Sequence, residues 1–178
     1  MRNLEGITAE LEQTPIIDET LQARVCNQRR DNISIKVGWS AMDILRAEAP
    51  QRRIETYGVG ICYVIFGTNQ NGDVILGHYA PSVSRETALE LARHLINQQN
   101  LVNEKRQLNY DNFTFGFIQG PSKFGEMPIG YYDVYYDRDE GLVATKFLPG
   151  PPKNGVSLTI YDKNNPLNEI IQLNNLKS

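Results

Sequence analysis

In DNISIKVGW (31–39), Ile33, Ile35 and Val37 alternate with polar residues, the two-residue period of a half-buried strand. The next stretch, SAMDILRAEA (40–49), leaves two readings open: a short helix with Ser40 as N-cap and Asp43 three residues on, or a second strand. Arg53–Thr68 is a longer strand region whose centre, TYGVGICYVIFG (56–67), is interrupted by Gly58 and Gly60. NQNG (69–72) marks a hairpin, DVILGHYA (73–80) is the return strand, and Pro81 ends it. Ser84 then caps a helix over 84–98 whose apolar face is Ala88, Leu91, Ala92, Leu95 and Ile96. NFTFGFIQG (112–120), GYYDVYYD (130–137), LVATKF (142–147) and VSLTIY (156–161) read as four further strands, with a turn-rich LPGPPKNG (148–155) before the last. The pattern predicts one α/β domain over 31–178, with a mixed or antiparallel sheet packed on helices. Residues 1–30 are polar and weakly patterned and are read as an N-terminal extension with a short helix near Ile7–Leu11. The Asn-rich tail from Asp162 has room for one short element around Ile170.

Bulk properties narrow the function classes. The 178 residues suffice for one domain with a real core. A net charge of −3 gives no general attraction to phosphate backbones, and no stretch approaches the ~20 apolar residues of a membrane span. The N-terminal residues lack the apolar core of a secretory signal. With two cysteines, Cys26 and Cys62, neither a disulfide scaffold nor a cysteine-built zinc site is expected. A reducing cytoplasm is the default home; export by a specialised secretion system leaves no mark on such a sequence.

The chemistry concentrates in one hairpin. With its turn centred on Gln70, Cys62 faces His78, and directly opposed side chains have Cβ atoms ~5 Å apart. A two-residue Asn71-Gly72 turn would instead oppose Cys62 to Pro81 and send His78 to the other face. The longer loop is the expectation, because it lets a thiol meet an imidazole. A free thiol has pKa ~8.5, and an adjacent imidazole activates it by forming an ion pair. A third group usually orients the imidazole, and the Thr56 hydroxyl is the candidate. Fully extended, Thr56 and Cys62 would stand about 20 Å apart. Gly58 and Gly60 allow the bend that brings them together, and they let substrate backbone approach closely. The same bend would aim the Cys62 N–H at a developing oxyanion.

Over residues 35–81, about a quarter of the chain, Val37, Gly38, Thr56, Gly58, Gly60, Cys62, His78 and Pro81 fall in the order of the chemoreceptor glutamine deamidase family known as CheD, which the chain resembles. The resemblance implies an α/β/β/α sandwich shared with several bacterial deamidase toxins. It also implies a nucleophile at Cys62, a general base at His78, an orienting hydroxyl at Thr56 and no metal or organic cofactor. Gly58, Gly60 and Ile61 would face the substrate, Ile61 standing where the family has serine. After His78 the family's Met-Leu before proline is absent, and its later Gly-Gly-Ala segment is only loosely echoed by FGFIQGPSKFG (115–125). The implied reaction is hydrolysis of a protein glutamine side chain to glutamate, or transglutamination where an amine replaces water. The alternative is a catalytically inactive protein-binding module on the same fold, with Cys62 closed off and the tyrosine-rich strand as its working surface.

Other features take plainer readings. His94 falls on the flank of the helix away from its apolar stripe and is read as a surface residue. GYYDVYYD could stack bases, but Asp133, Asp137, Asp139 and Glu140 around it would repel phosphates. The partner that the resemblance implies is a protein presenting a glutamine; no nucleic acid and no membrane insertion are expected.

Overall fold

The computed structural model describes residues 29–30, 33–103, 105–147 and 155–161, and the side chains of 29–30 and 155–161 are not considered. Among the described residues the chain forms a single α/β domain with ten strands in two sheets and one α-helix: β1 (Arg29–Arg30), β2 (Ser34–Lys36), β3 (Ala41–Leu45), β4 (Arg53–Val59), β5 (Tyr63–Thr68), β6 (Val74–Tyr79), α1 (Arg85–Val102), β7 (Thr114–Gln119), β8 (Tyr131–Asp137), β9 (Gly141–Phe147) and β10 (Gly155–Tyr161). One sheet has the order β1-β2-β4-β8-β9-β10 and is mixed, because β2 and β4 run parallel. The other, β3-β6-β5-β7, is antiparallel throughout.

The sheets stack face to face. Ile35, Ile54, Val59, Tyr132, Val134 and Ala144 of the first sheet meet Leu45, Val64, Phe66, Leu76 and Ile118 of the second. The opposite face of the second sheet carries Met42, Ile44, Ile65, Ile75, Tyr79 and Phe117, and α1 covers it with Ala88, Leu91, Ala92, Leu95 and Ile96. That is the apolar stripe read from the helical period. Fully burying each large aliphatic side chain of the stripe is worth about 1.5–3 kcal/mol. The Ser84 hydroxyl accepts from the Thr87 N–H and caps α1 as expected. Helix, sheet and sheet thus supply three layers of the expected sandwich among the described residues.

The middle sheet explains the one ambiguous stretch. Residues 41–45 form an edge strand, not a helix, and Ser40 has φ 56° rather than a cap conformation. All five residues of β3 are buried, with Met42 and Ile44 toward α1 and Ala41 and Leu45 toward the other sheet. A strand buried on both faces loses the apolar–polar alternation by which strands are recognised. The buried Asp43 carboxylate accepts from the Ile44 N–H at 2.7 Å. The alternation in 31–39 holds for Ile35 and Val37, which are buried, whereas Ile33 at the strand's entry is 65% exposed. Arg29–Arg30, assigned to the N-terminal extension, pairs with β2. The proposed helix near Ile7–Leu11, Cys26 and the tail from Asp162 onward lie outside the described residues.

Candidate active site

Two glycines stand where the chain leaves one sheet for the other. β4 belongs to the mixed sheet and β5 to the antiparallel one, so residues 60–62 form a crossover bend. The β4–β8 register slips between Thr56 and Val59, and Gly58 at φ 69° absorbs the irregularity, a conformation that costs other residues about 1–2 kcal/mol. Its N–H is taken by the Asp133 carboxylate at 3.0 Å. The hairpin that follows has its three-residue loop at 70–72, with Gly72 at φ 86° and the Asn69 side chain accepting from the N–H groups of Asn71 and Asp73.

This loop corrects the expected register. The turn centres on Asn71, not Gln70, so Val64 is the residue opposite His78 and Tyr63 opposes Tyr79. Cys62 is offset from His78 by two residues instead of facing it. The two-residue shift keeps the face, since strand side chains alternate with period two. His78 points between the sheets, where its Nδ1 meets the Thr56 Oγ1 at 2.8 Å. Cys62 packs against the same inter-sheet core. Sequence placed Thr56 and His78 together, and the structure brings them together across the two sheets. Thr56 is wholly buried and His78 is 3% exposed.

Further groups hold these three residues. The Ser40 N–H donates to the His78 carbonyl at 2.7 Å, so the strained Ser40 backbone is the splice that starts β3 beside the histidine. The Trp39 indole hydrogen-bonds the Cys62 sulfur. On the far side the Cys62 carbonyl accepts from the Gly120 N–H at 2.8 Å and from the Gln119 amide at 3.3 Å, and the Gly60 carbonyl accepts from the Ser122 N–H at 3.1 Å. The Ser122 hydroxyl donates to the Gly130 carbonyl and accepts from the Ile129 N–H, which ties the 121–130 loop onto the crossover. A Cβ on Gly120 would overlap the Gly60 carbonyl and come within 2.8 Å of the Cys62 carbonyl oxygen. Trp39, Gln119 and Gly120 carry no role in the sequence reading, and Ser40 is read there only as a possible helix N-cap. The only local hint was that a Gly-Pro pair closes β7.

Electrostatics set the resting state. Burial pushes the His78 imidazole down to about 4, so it is neutral at pH 7. Burial pushes the Cys62 thiol up, with the Trp39 bond opposing. A resting thiolate–imidazolium pair is therefore not what this interior favours. The neutral imidazole keeps one nitrogen as acceptor. When Nδ1 carries the proton and donates to Thr56, the lone pair sits on Nε2, a buried atom that no protein group hydrogen-bonds.

Cys62 itself is partly exposed. Two depressions flank the neighbouring Ile61. One, of about 330 Å³, is lined by Gly58, Gly60, Ile61, Lys123, Pro128 and Tyr131 among others. The second, of about 280 Å³, is bounded by Ile61, Pro81, Gln119, Gly120 and Phe124 among others. Gly58, Gly60 and Ile61 thus line a surface depression. No cluster of His, Cys, Asp or Glu suited to a metal ion occurs among the described residues, and no described helix is long and apolar enough to cross a membrane. No family model, curated protein or solved structure matches the chain.

Proposed function

We propose that the protein is a cysteine-dependent protein-glutamine deamidase of the CheD type, with Cys62 as nucleophile, His78 as general base and acid, and Thr56 as the group that orients the imidazole. The observation that carries the reading is the buried 2.8 Å bond between Thr56 Oγ1 and His78 Nδ1, which leaves Nε2 unpartnered on the sheet face that Cys62 shares. Its chemistry is general-base catalysis from a neutral resting pair. Cys62 Sγ attacks the side-chain carbonyl carbon of a glutamine as Nε2 takes the thiol proton. The Cys62 N–H is assigned to the oxyanion. The imidazolium then protonates the departing nitrogen, ammonia leaves and a thioester remains. Water, deprotonated by the same Nε2, attacks the thioester carbonyl; the C–S bond breaks, the proton returns to sulfur, and the product is glutamate. A positioned base contributes typically 10²–10⁴-fold to such steps.

The substrate is a protein. The rim of the site is apolar and open: Phe124 and Met127 are each 84% exposed on the loop that Ser122 ties to the crossover. The second reading, an inactive binding module, draws on that same loop and on the raised thiol pKa. It requires a Cys62 closed to solvent, whereas Cys62 is partly exposed. The two readings separate in a proteome-wide search for Gln-to-Glu mass shifts in cells expressing the wild type or Cys62→Ser. Shifts confined to the wild type are expected. Identical profiles would refute the enzymatic reading and leave the binding module.

A further inference from the structure

Tyr132 has a wholly buried side chain whose hydroxyl no protein group hydrogen-bonds. It shares that condition with His78 Nε2, and both residues face the inter-sheet interior. Their placement is set by register. Thr56 pairs with Val134 on β8, and Tyr132 is two residues along the same strand, on the same face. Diagonal neighbours of this kind are ~7–8 Å apart at Cα, within reach of an aromatic side chain. Thr56 touches the imidazole, and Tyr132 lies on the same inter-sheet face one diagonal step away, at the end of β8 that pairs with Val59 beside the crossover. An unsatisfied buried hydroxyl or imidazole nitrogen costs about 1–3 kcal/mol.

We infer that Tyr132 Oη and His78 Nε2 form a single buried site for one water molecule, and that this is the water that hydrolyses the acyl-enzyme. The tyrosine O–H donates to the water oxygen and the water donates to Nε2. The line Tyr132–water–His78–Thr56 then satisfies both orphaned atoms at once and fixes the proton of His78 on Nδ1. A bridging water is nearly equivalent to a direct hydrogen bond. Burial pushes the Tyr132 phenol up to about 12, so it stays a donor across the physiological range. The water site needs no assumption about activity; its use in hydrolysis rests on the deamidase reading. In that use Nε2 accepts the water proton, the water oxygen bonds to the thioester carbonyl carbon, the C–S bond breaks and the proton passes to sulfur. Tyr132 holds the water and is a positioning residue.

Tyr132→Phe tests the inference at two levels. Without substrate, ¹⁵N NMR of the full chain is expected to show His78 protonated on Nδ1. In Tyr132→Phe the Nε2 resonance should move, and Tm should fall by about 2–4 °C for a loss near 1 kcal/mol in a domain of this size. An unmoved Nε2 resonance, or a Tm equal to or above that of the wild type, overturns the water site, because deleting a merely orphaned hydroxyl is neutral or stabilising. With an N-blocked glutaminylglycine peptide, Tyr132→Phe should release its first equivalent of ammonia at the wild-type rate. It should then accumulate acyl-enzyme on Cys62, read by intact mass, with turnover lowered at least tenfold. Equal slowing of both phases overturns the hydrolytic role. A wild type that releases no ammonia refutes the deamidase reading while the NMR and melting results still decide the water site.

Discussion

At the scale of single residues, the pairing of Cys62 with His78 was read as an ion pair made ready by proximity, and the interior argues for neutral partners. Desolvation dominates both groups: it disfavours thiolate and imidazolium alike. The expected signature is an alkylation profile without a neutral plateau. The rate of Cys62 modification by iodoacetamide should be low at pH 6.5–7 and climb through an inflection above the ordinary thiol range. A thiolate–imidazolium pair would instead give a rate that is already high and flat near neutrality. Measuring the rate from pH 5 to 10, in wild type and in His78→Ala, distinguishes the two. A neutral-range plateau lost in the variant would sink the neutral-pair description.

At the scale of elements, the site is a junction between two sheets, and the glycines that serve it differ in kind. Gly58 is needed for its positive φ. At Gly60 an added Cβ meets only the Gly130 carbonyl oxygen at 3.9 Å, an ordinary contact. Gly120 is the residue with no room, because its backbone lies against the Gly60 and Cys62 carbonyls. Gly120→Ala is therefore expected to push the crossover off the end of β7 and to destabilise the fold by about 1–3 kcal/mol, as overpacking does. Gly60→Ala should stay within about 1 kcal/mol of the wild type. Urea unfolding of both variants checks the ranking, and a Gly120→Ala protein as stable as Gly60→Ala would contradict it. This is also where sequence reading ran out. Period and capping sufficed for α1, for β5 and β6, and for the strands from β7 onward, because each has a local signature. His78 is legible beside Cys62 through the hairpin, and Thr56 and Gly58 through the glycine-interrupted stretch ahead of Cys62. The exact register is not, since three-residue and longer loops share the same Asn-Gly signal. Gly120 and Trp39 were invisible, because they touch Cys62 only through the tertiary arrangement of distant strands. Residues 41–45 misled for the opposite reason: burial on both faces erased their period.

At the scale of the whole molecule, the buried groups fix how stability follows pH. His78 has its folded-state pKa depressed from 6.5 to about 4. Between those values the unfolded chain binds a proton that the native chain refuses, so stability is at its plateau above pH 6.5 and falls as pH drops toward 4. The shift corresponds to about 3 kcal/mol. Asp137 acts lower down. Burial pushes its carboxyl up, but hydrogen bonds from Arg52, the Asp139 N–H and Arg53 outweigh that and hold it at about 2, against 3.8. Its contribution, about 2 kcal/mol, is present above pH 3.8 and is lost as pH falls through 2. Acid unfolding should therefore proceed in two ranges, governed by the site in the first and by the buried carboxylates in the second, Asp137 with Arg52 and Arg53 and Asp73 with Arg106. His78→Gln removes the titrating group, so it is expected to flatten the stability profile between pH 6.5 and 4. The same variant should leave the decline below pH 3.8 intact, whatever its absolute stability. Urea midpoints measured from pH 7.5 to 3 check this through their slope, which is independent of the cost of the substitution itself. A His78→Gln profile as steep as the wild type's above pH 4 would mean that the imidazole titrates freely and is not held neutral between the sheets, and the general base assigned to Nε2 would lose its physical footing.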